Sequence, residues 1–204
     1  MARCTKEEAE RTRCNLLDAA EQVFLEKGVG AASLDEIARV AGVTRGAVYW
    51  HFENKTAVFD AMRERVKSPM NALFEQVTME AQPMQALEKL CILTLRNLAK
   101  DERIRRVYTI LMFKCEQVDP LKKNVEDQKQ NRKEAIERFR KIFSHAQKHE
   151  QLAPGTTPQA AAIALYTYMS GIFADYLRDP EIFDMHALAP KLMEVFFRGI
   201  AAAK

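Results

Sequence analysis

The chain is poor in glycine, lacks long apolar runs and carries almost no excess of either charge. Seven glycines in 204 residues is about half the usual ~7%. No stretch alternates apolar with polar residues as a half-buried strand would, so the pattern speaks for an all-α protein. No apolar run reaches the ~18 residues of a membrane span. The first thirteen residues carry Arg3, Lys6, Glu7, Glu8, Glu10, Arg11 and Arg13, which leaves no apolar core for a secretory leader, and a cytoplasmic location is expected. Cys4, Cys14, Cys91 and Cys115 contain no C-x-x-C pair, so free thiols are expected rather than a disulfide framework or a zinc site. Net charge is only +3, and residues 1–67 hold eleven Lys/Arg against eleven Asp/Glu. Total charge therefore argues for no nucleic acid, and any such role must rest on where the charges stand.

Hydrophobic residues make up 48% of the chain, enough for a sizeable core. Helix start and stop signals divide it into about nine helices. Thr5 with Glu8 reads as a capping box opening a helix over 6–27, with Leu16, Leu17, Ala20, Val23 and Phe24 inward and Gly28 as terminator. Ser33 with Glu36 reads as a second box, and Ala41-Gly42-Val43 as a tight turn to Thr44, the next N-cap. Asn54 caps a fourth helix to about Val77, with a kink or restart expected at Pro69. Gln82-Pro83, Asp101, Asp119-Pro120, Thr157-Pro158 and Asp184 open the rest, Pro190 interrupting the last. The expected division is 1–53, a connecting helix over 54–78, and 79–204.

The tightest spacing lies at 33–52, where two short helices around a three-residue turn read as a helix-turn-helix. Ile37, Val43, Val48 and Phe52 fall on the side facing the first helix, which leaves Thr44, Arg45, Gly46, Ala47, Tyr49, Trp50 and His51 outside. A second helix of about 10 Å fits a major groove ~12 Å wide. Arg45 in its first turn has the fork that reads guanine O6 and N7, while Tyr49, His51 and Lys55 offer hydrogen bonds or charge to phosphate.

Residues 33–55, SLDEIARVAGVTRGAVYWHFENK, closely resemble the signature of the TetR-type (TetR/AcrR) transcriptional repressors. The opening MARCTKEEAERTR and FKCE at 113–116 are similar to the branch that controls multidrug efflux pumps. The resemblance implies a homodimer with an N-terminal DNA-binding domain of three helices and a C-terminal domain of about six. It also implies DNA contacts at Thr44, Arg45, Gly46, Tyr49, Trp50, His51 and Lys55, with operator DNA and a small-molecule inducer as partners. The N-terminal arm, with Arg3 and Lys6, is a further candidate for phosphate.

Between Pro158 and Leu177 the only charged residue is Asp175, and apolar side chains run all round that helix. Such a helix is expected to be buried on every side, partly in its own domain and partly, with the stripe 188–200, against a second chain across a two-fold axis. Inner faces of four C-terminal segments place Leu90, Cys91, Thr94, Tyr108 and Met112 near Phe139, Tyr166, Met169, Ser170 and Phe173. These residues either fill an ordinary core or line a cavity for a hydrophobic, often aromatic, compound. His145 and His149 at i, i+4 lack a third ligand and read as solvated surface. Arg103, Arg105 and Arg106 read as a solvated face, with an acid of the fourth helix as a possible partner for one of them. No catalytic constellation, cofactor or metal site is indicated. The expected function is a ligand-responsive repressor, with a same-fold regulator of metabolic genes, or a helical protein that binds or processes hydrophobic compounds, as alternatives.

Overall fold

The structure, a computed structural model, describes residues 6–78, 80–115 and 122–202. Among these residues it is all-helical: α1 (Lys6–Ala31), α2 (Leu34–Val40), α3 (Arg45–His51), α4 (Lys55–Thr78), α5 (Pro83–Lys100), α6 (Glu102–Phe113), α7 (Lys122–Lys148), α8 (Pro158–Arg178) and α9 (Met185–Ile200). No helix among them is long and apolar enough to cross a membrane. The Thr5 cap, Cys4, Arg3 and the Asp119-Pro120 start lie outside the described residues.

The chain forms two compact units, one of residues 1–68 with 106–122, the other of 69–105 with 123–204. This division differs from the one expected at 53 and 78. Val107 and Ile110 of α6 are fully buried in the core built by Leu16, Leu17, Ala20, Phe24, Ile37, Val48, Val58 and Met62, so the second half of α6 belongs to the N-terminal unit. Val29 N–H donates to the Lys114 carbonyl at 2.9 Å and ties the end of α6 to the end of α1. Gly28, at φ 81°, breaks the helical path there without ending the element.

One fully buried charge stands in this core. Glu21 of α1 accepts from Arg65 of α4 at 3.0 Å through one carboxylate oxygen and from Arg106 of α6 at 3.2 Å through the other. Arg65 also reaches Asp18 at 2.7 Å. Arg106 is therefore no solvated arginine, and its acid comes from α1 rather than the fourth helix. Opposed guanidinium groups on both oxygens are what makes full burial of a carboxylate tolerable.

Helix α4 runs unbroken through Pro69 rather than restarting, and the two units divide between Ser68 and Pro69. In the second unit α9 likewise continues through Pro190. The proline has no N–H for the carbonyl four residues earlier, and Arg96 Nε of α5 donates to that His186 carbonyl at 3.4 Å instead. Helix α5 packs on α9, and α9 on α8. Tyr168 stacks on Phe196 with centroids 5.6 Å apart and donates its hydroxyl to the Leu192 carbonyl at 3.1 Å. Thr157 and Asp184 accept from the N–H groups three residues on at 3.2 and 3.1 Å, the caps expected for α8 and α9.

Helix α8 is not enclosed on every side within the protomer. Ala161, Ala162, Leu165, Phe173 and Tyr176 are buried, whereas Ile163 is 43% exposed and Thr167 and Gly171 share its open face. On α7, Phe139, Ile142 and Ala146 are buried, while Arg132, two turns before Phe139 on the same row, is exposed. His145 and His149 face each other, Nε2 to Nε2 at 3.0 Å, with His145 half-buried rather than solvated.

Helix α7 ends through Glu150, a non-glycine residue at φ 56°. That left-handed conformation costs roughly 1–2 kcal/mol, against roughly 0.4–1 kcal/mol for the extra freedom glycine has in the unfolded chain. Glu150→Gly should therefore raise stability by about 0.5 kcal/mol, read as a higher urea midpoint; a lower midpoint would contradict this.

Candidate nucleic-acid interface

The site is built by α2, the turn and α3. Ser33 caps α2 in a full capping box: its hydroxyl accepts from Glu36 N–H at 3.2 Å and the Glu36 carboxylate accepts from Ser33 N–H at 3.1 Å. Lys27 of α1 pairs with the same carboxylate, and it and Ser33 hold Glu36 below the usual carboxylate range. Gly42 at φ 66° makes the turn, a conformation that a side chain would strain. Thr44 then caps α3, accepting from Ala47 N–H at 3.2 Å.

Val48 and Phe52 are buried against α1 and fix the rotation of α3. The opposite face is then forced outward: Thr44, Arg45, Gly46 and Tyr49 are exposed, and Trp50, the only tryptophan of the chain, is 70% exposed. An indole so open in a chain with an ample core has no role in holding that core. A Cβ at Gly46 would meet only Thr44 Oγ1, at 3.9 Å, so nothing inside the protein demands glycine there.

Charge on this face is ordered by short contacts. Arg45 Nε lies 3.1 Å from Asp35 of α2, its Nη2 lies 3.4 Å from the Tyr49 hydroxyl, and its guanidinium sits over the Tyr49 ring at 5.5 Å. The Tyr49 hydrogen bond and Asp35 hold the guanidinium pKa above its ordinary value. His51 is half-buried with its ring edge-on to Trp50 at 4.5 Å. Burial, with Arg13 nearby, pushes the His51 pKa down, so at pH 7 the ring is neutral and donates one N–H.

Lys55 departs from the expected picture of a free phosphate contact. Its ammonium donates to the Gly30 and Ala32 carbonyls, both at 2.7 Å, and so closes the end of α1. Two of its three donors are thereby spent. Asn54 accepts from Ala57 N–H at 2.9 Å and caps α4 as expected.

The residues expected around a hydrophobic compound fall in both units. Leu90, Cys91, Phe139 and Phe173 are buried in the second unit, and Thr94, Tyr166, Met169 and Ser170 are half-buried there. Thr94 gives its hydroxyl proton to the Leu90 carbonyl at 2.8 Å, which removes it as a ready donor. Burial pushes the Cys91 thiol up to about 12, so it is an inert apolar filler at pH 7. Tyr108 and Met112 lie on the part of α6 that belongs to the first unit. Burial raises the Tyr108 phenol above its usual range. Met112 does not point inward: helical register turns Val107 and Ile110 to the core and leaves Met112 exposed. Among the described residues no three metal-ligating side chains come together.

Residues 16–62 match the family described as bacterial regulatory proteins of the tetR family, and residues 82–201 match the C-terminal region of MAATS-type transcriptional repressors. The chain is 34% identical to the HTH-type transcriptional regulator AcrR of Shigella flexneri over 187 residues, 91% of this chain and 87% of that one. It superposes with a TM-score of 0.85 on NalD, the secondary repressor of the MexAB-OprM multidrug efflux pump in Pseudomonas aeruginosa, at 42% identity, covering 96% of this chain and 98% of NalD. On the complex of SmeT with triclosan the TM-score is 0.86 at 30% identity, covering 94% and 92% of the two chains. The capped, outward-facing α3 and these matches across both units lead to one conclusion: the chain is a DNA-binding transcription regulator of the TetR family with a MAATS-type C-terminal region, and not an enzyme.

Proposed function

We propose that this regulator represses a multidrug efflux operon in the cytoplasm and is released from its operator by a hydrophobic small molecule. The observation that carries the DNA half of this reading is the polar and aromatic face of α3, Thr44, Arg45, Gly46, Tyr49, Trp50 and His51, presented outward by a helix whose back is locked by Val48. The third Lys55 donor serves phosphate beside it. The efflux half is supported by NalD and SmeT, repressors of efflux pumps at 42% and 30% identity, and the inducer by triclosan in the SmeT complex.

The repressor acts as a homodimer through the open faces of α8 and α9, which suits a palindromic operator. The inducer occupies the apolar interior of the second unit near Leu90, Phe139, Met169 and Phe173. Release is a population shift, so the compound must bind the DNA-free conformation more tightly than the DNA-bound one.

The test is a gel shift at fixed salt on the DNA flanking the chain's own gene, with and without triclosan. A shifted band lost on adding triclosan is expected; a shifted band that triclosan leaves intact removes this compound as inducer, and no shift at all overturns the repressor reading. Arg45→Ala should weaken the complex by about 1–3 kcal/mol, the value of a lost base contact. Unchanged affinity would take Arg45 out of the interface.

A further inference from the structure

Arg45 is held by its neighbours before any duplex arrives. The carboxylate that engages its Nε at 3.1 Å belongs to Asp35, in the first turn of α2, across the turn from α3. Tyr49, one turn on, sits beneath the guanidinium and meets Nη2. An exposed arginine ordinarily samples many rotamers, and ordering it costs up to ~2 kcal/mol of side-chain entropy. Here its Nε edge is tied from one helix and its flat face from another. Three of its five N–H groups, two of them on Nη1, stay available for a planar acceptor pair.

The carboxylate itself is an oddity on such a face. Asp35 stands beside the outward side of α3, where a duplex would bring a dense row of phosphates, and a negative charge there opposes general DNA affinity. A first-turn acid does favour the α2 dipole, but Glu36, in the same turn, already supplies that charge together with the capping box.

We propose that Asp35 is a positioning residue for operator reading: it fixes the Arg45 guanidinium, with Tyr49 as its floor, so that Arg45 discriminates one base pair in each half-site. Asp35 thereby trades general affinity for selectivity. This rests on the DNA-binding reading above.

The two roles open to Asp35 differ in sign. If it only stabilised α2, its loss would weaken binding to every duplex together and lower the melting temperature. As a positioner, its loss flattens the preference at the one position read by Arg45 and raises affinity for unrelated duplex.

The experiment is selection from a randomised duplex library with the full-length wild type, Arg45→Ala, Asp35→Ala and Asp35→Asn, followed by titration of the enriched site and an unrelated duplex at two salt concentrations. Arg45→Ala identifies the position that Arg45 reads. Asp35→Ala is expected to cut the preference at that position about tenfold, the scale of a good bidentate contact. It should leave the other positions unchanged and bind unrelated duplex severalfold more tightly. Asp35→Asn keeps an acceptor for Nε without the charge, and should retain most of the preference while binding unrelated duplex as tightly as Asp35→Ala.

A preference in Asp35→Ala within twofold of wild type overturns the proposal, as does a uniform fall at all positions with a lowered melting temperature. A wild type that enriches no site overturns the repressor reading itself, and Asp35's role with it; that outcome is visible before any variant is compared.

Discussion

Glu21→Ala is expected to unfold the N-terminal unit about 3 kcal/mol more easily than the wild type, the low end of the ~3–5 kcal/mol seen when one member of a buried ion cluster is removed. The low end applies because the partners left behind are not sealed in: the Arg65 and Arg106 side chains are 18% and 22% exposed, and Arg65 keeps Asp18. Glu21→Gln preserves volume yet turns an amide N–H toward one of two guanidinium groups, so it should recover less than half of the loss. Because Trp50 is the only tryptophan, lies in this unit and meets the His51 ring edge-on at 4.5 Å, loss of that ring contact in urea, read in its fluorescence beside far-UV circular dichroism, follows this unit. Adding Arg106→Ala to Glu21→Ala should cost less than in the wild-type background, since the Glu21 charge it faces is already gone, whereas adding Arg65→Ala should still cost the Asp18 contact. A fall below about 1 kcal/mol for Glu21→Ala would mean that the cluster only breaks even with the desolvation it demands.

Val195→Glu should abolish high-affinity operator binding without touching α3. Val195 is 71% exposed, and Leu188, two turns earlier on α9, is open on the same side. On α8, Ile163 is open, and a Cβ at Gly171, like one at Gly199 of α9, would meet nothing within 4 Å. Glycines with room around them in their own chain leave space for a second backbone to approach. On the dimer reading, a carboxylate at position 195 would be stripped of water against its symmetry mate and no longer tolerated. Sedimentation equilibrium is then expected to show a monomer at micromolar concentration. With two half-site contacts no longer coupled, operator affinity should fall at least a hundredfold, the lower range of the gain from linking two binding events. A variant that stays dimeric and binds as before would place the dimer elsewhere.

What the chain reveals before folding is mostly local. Ser33, Thr44, Asn54, Thr157 and Asp184 each cap the helix expected of them, because a cap is a bond between residues two or three apart and needs no tertiary partner. The outward set on α3 was legible for a related reason, since Val48 and Phe52 leave only one rotation of a seven-residue helix. Glu21 was missed, although a signal existed: it stands four residues after Leu17 and three before Phe24, on the apolar stripe itself, where a charge must find partners. Its partners lie 44 and 85 positions away, beyond any periodicity. Met112 departs through register: it stands two positions past Ile110 and so turns away from the inward row of α6. Lys55 was read as free because its two carbonyl partners belong to the end of another helix. For the prolines, the expected break assumed that a missing N–H goes uncompensated, whereas Arg96 supplies the donor at Pro190.

The N-terminal unit is assembled from two stretches of chain separated by 69–105, and this sets an order of events during synthesis. When residue 68 leaves the ribosome, α1 to α3 and the head of α4 exist, but the seats for Val107 and Ile110 are empty and Glu21 lacks Arg106. The reading head therefore waits for nearly forty more residues before its hydrophobic centre closes, and those residues are the ones that begin the other unit. A nascent chain of this protein cannot finish the unit that carries α3 before it has begun the other.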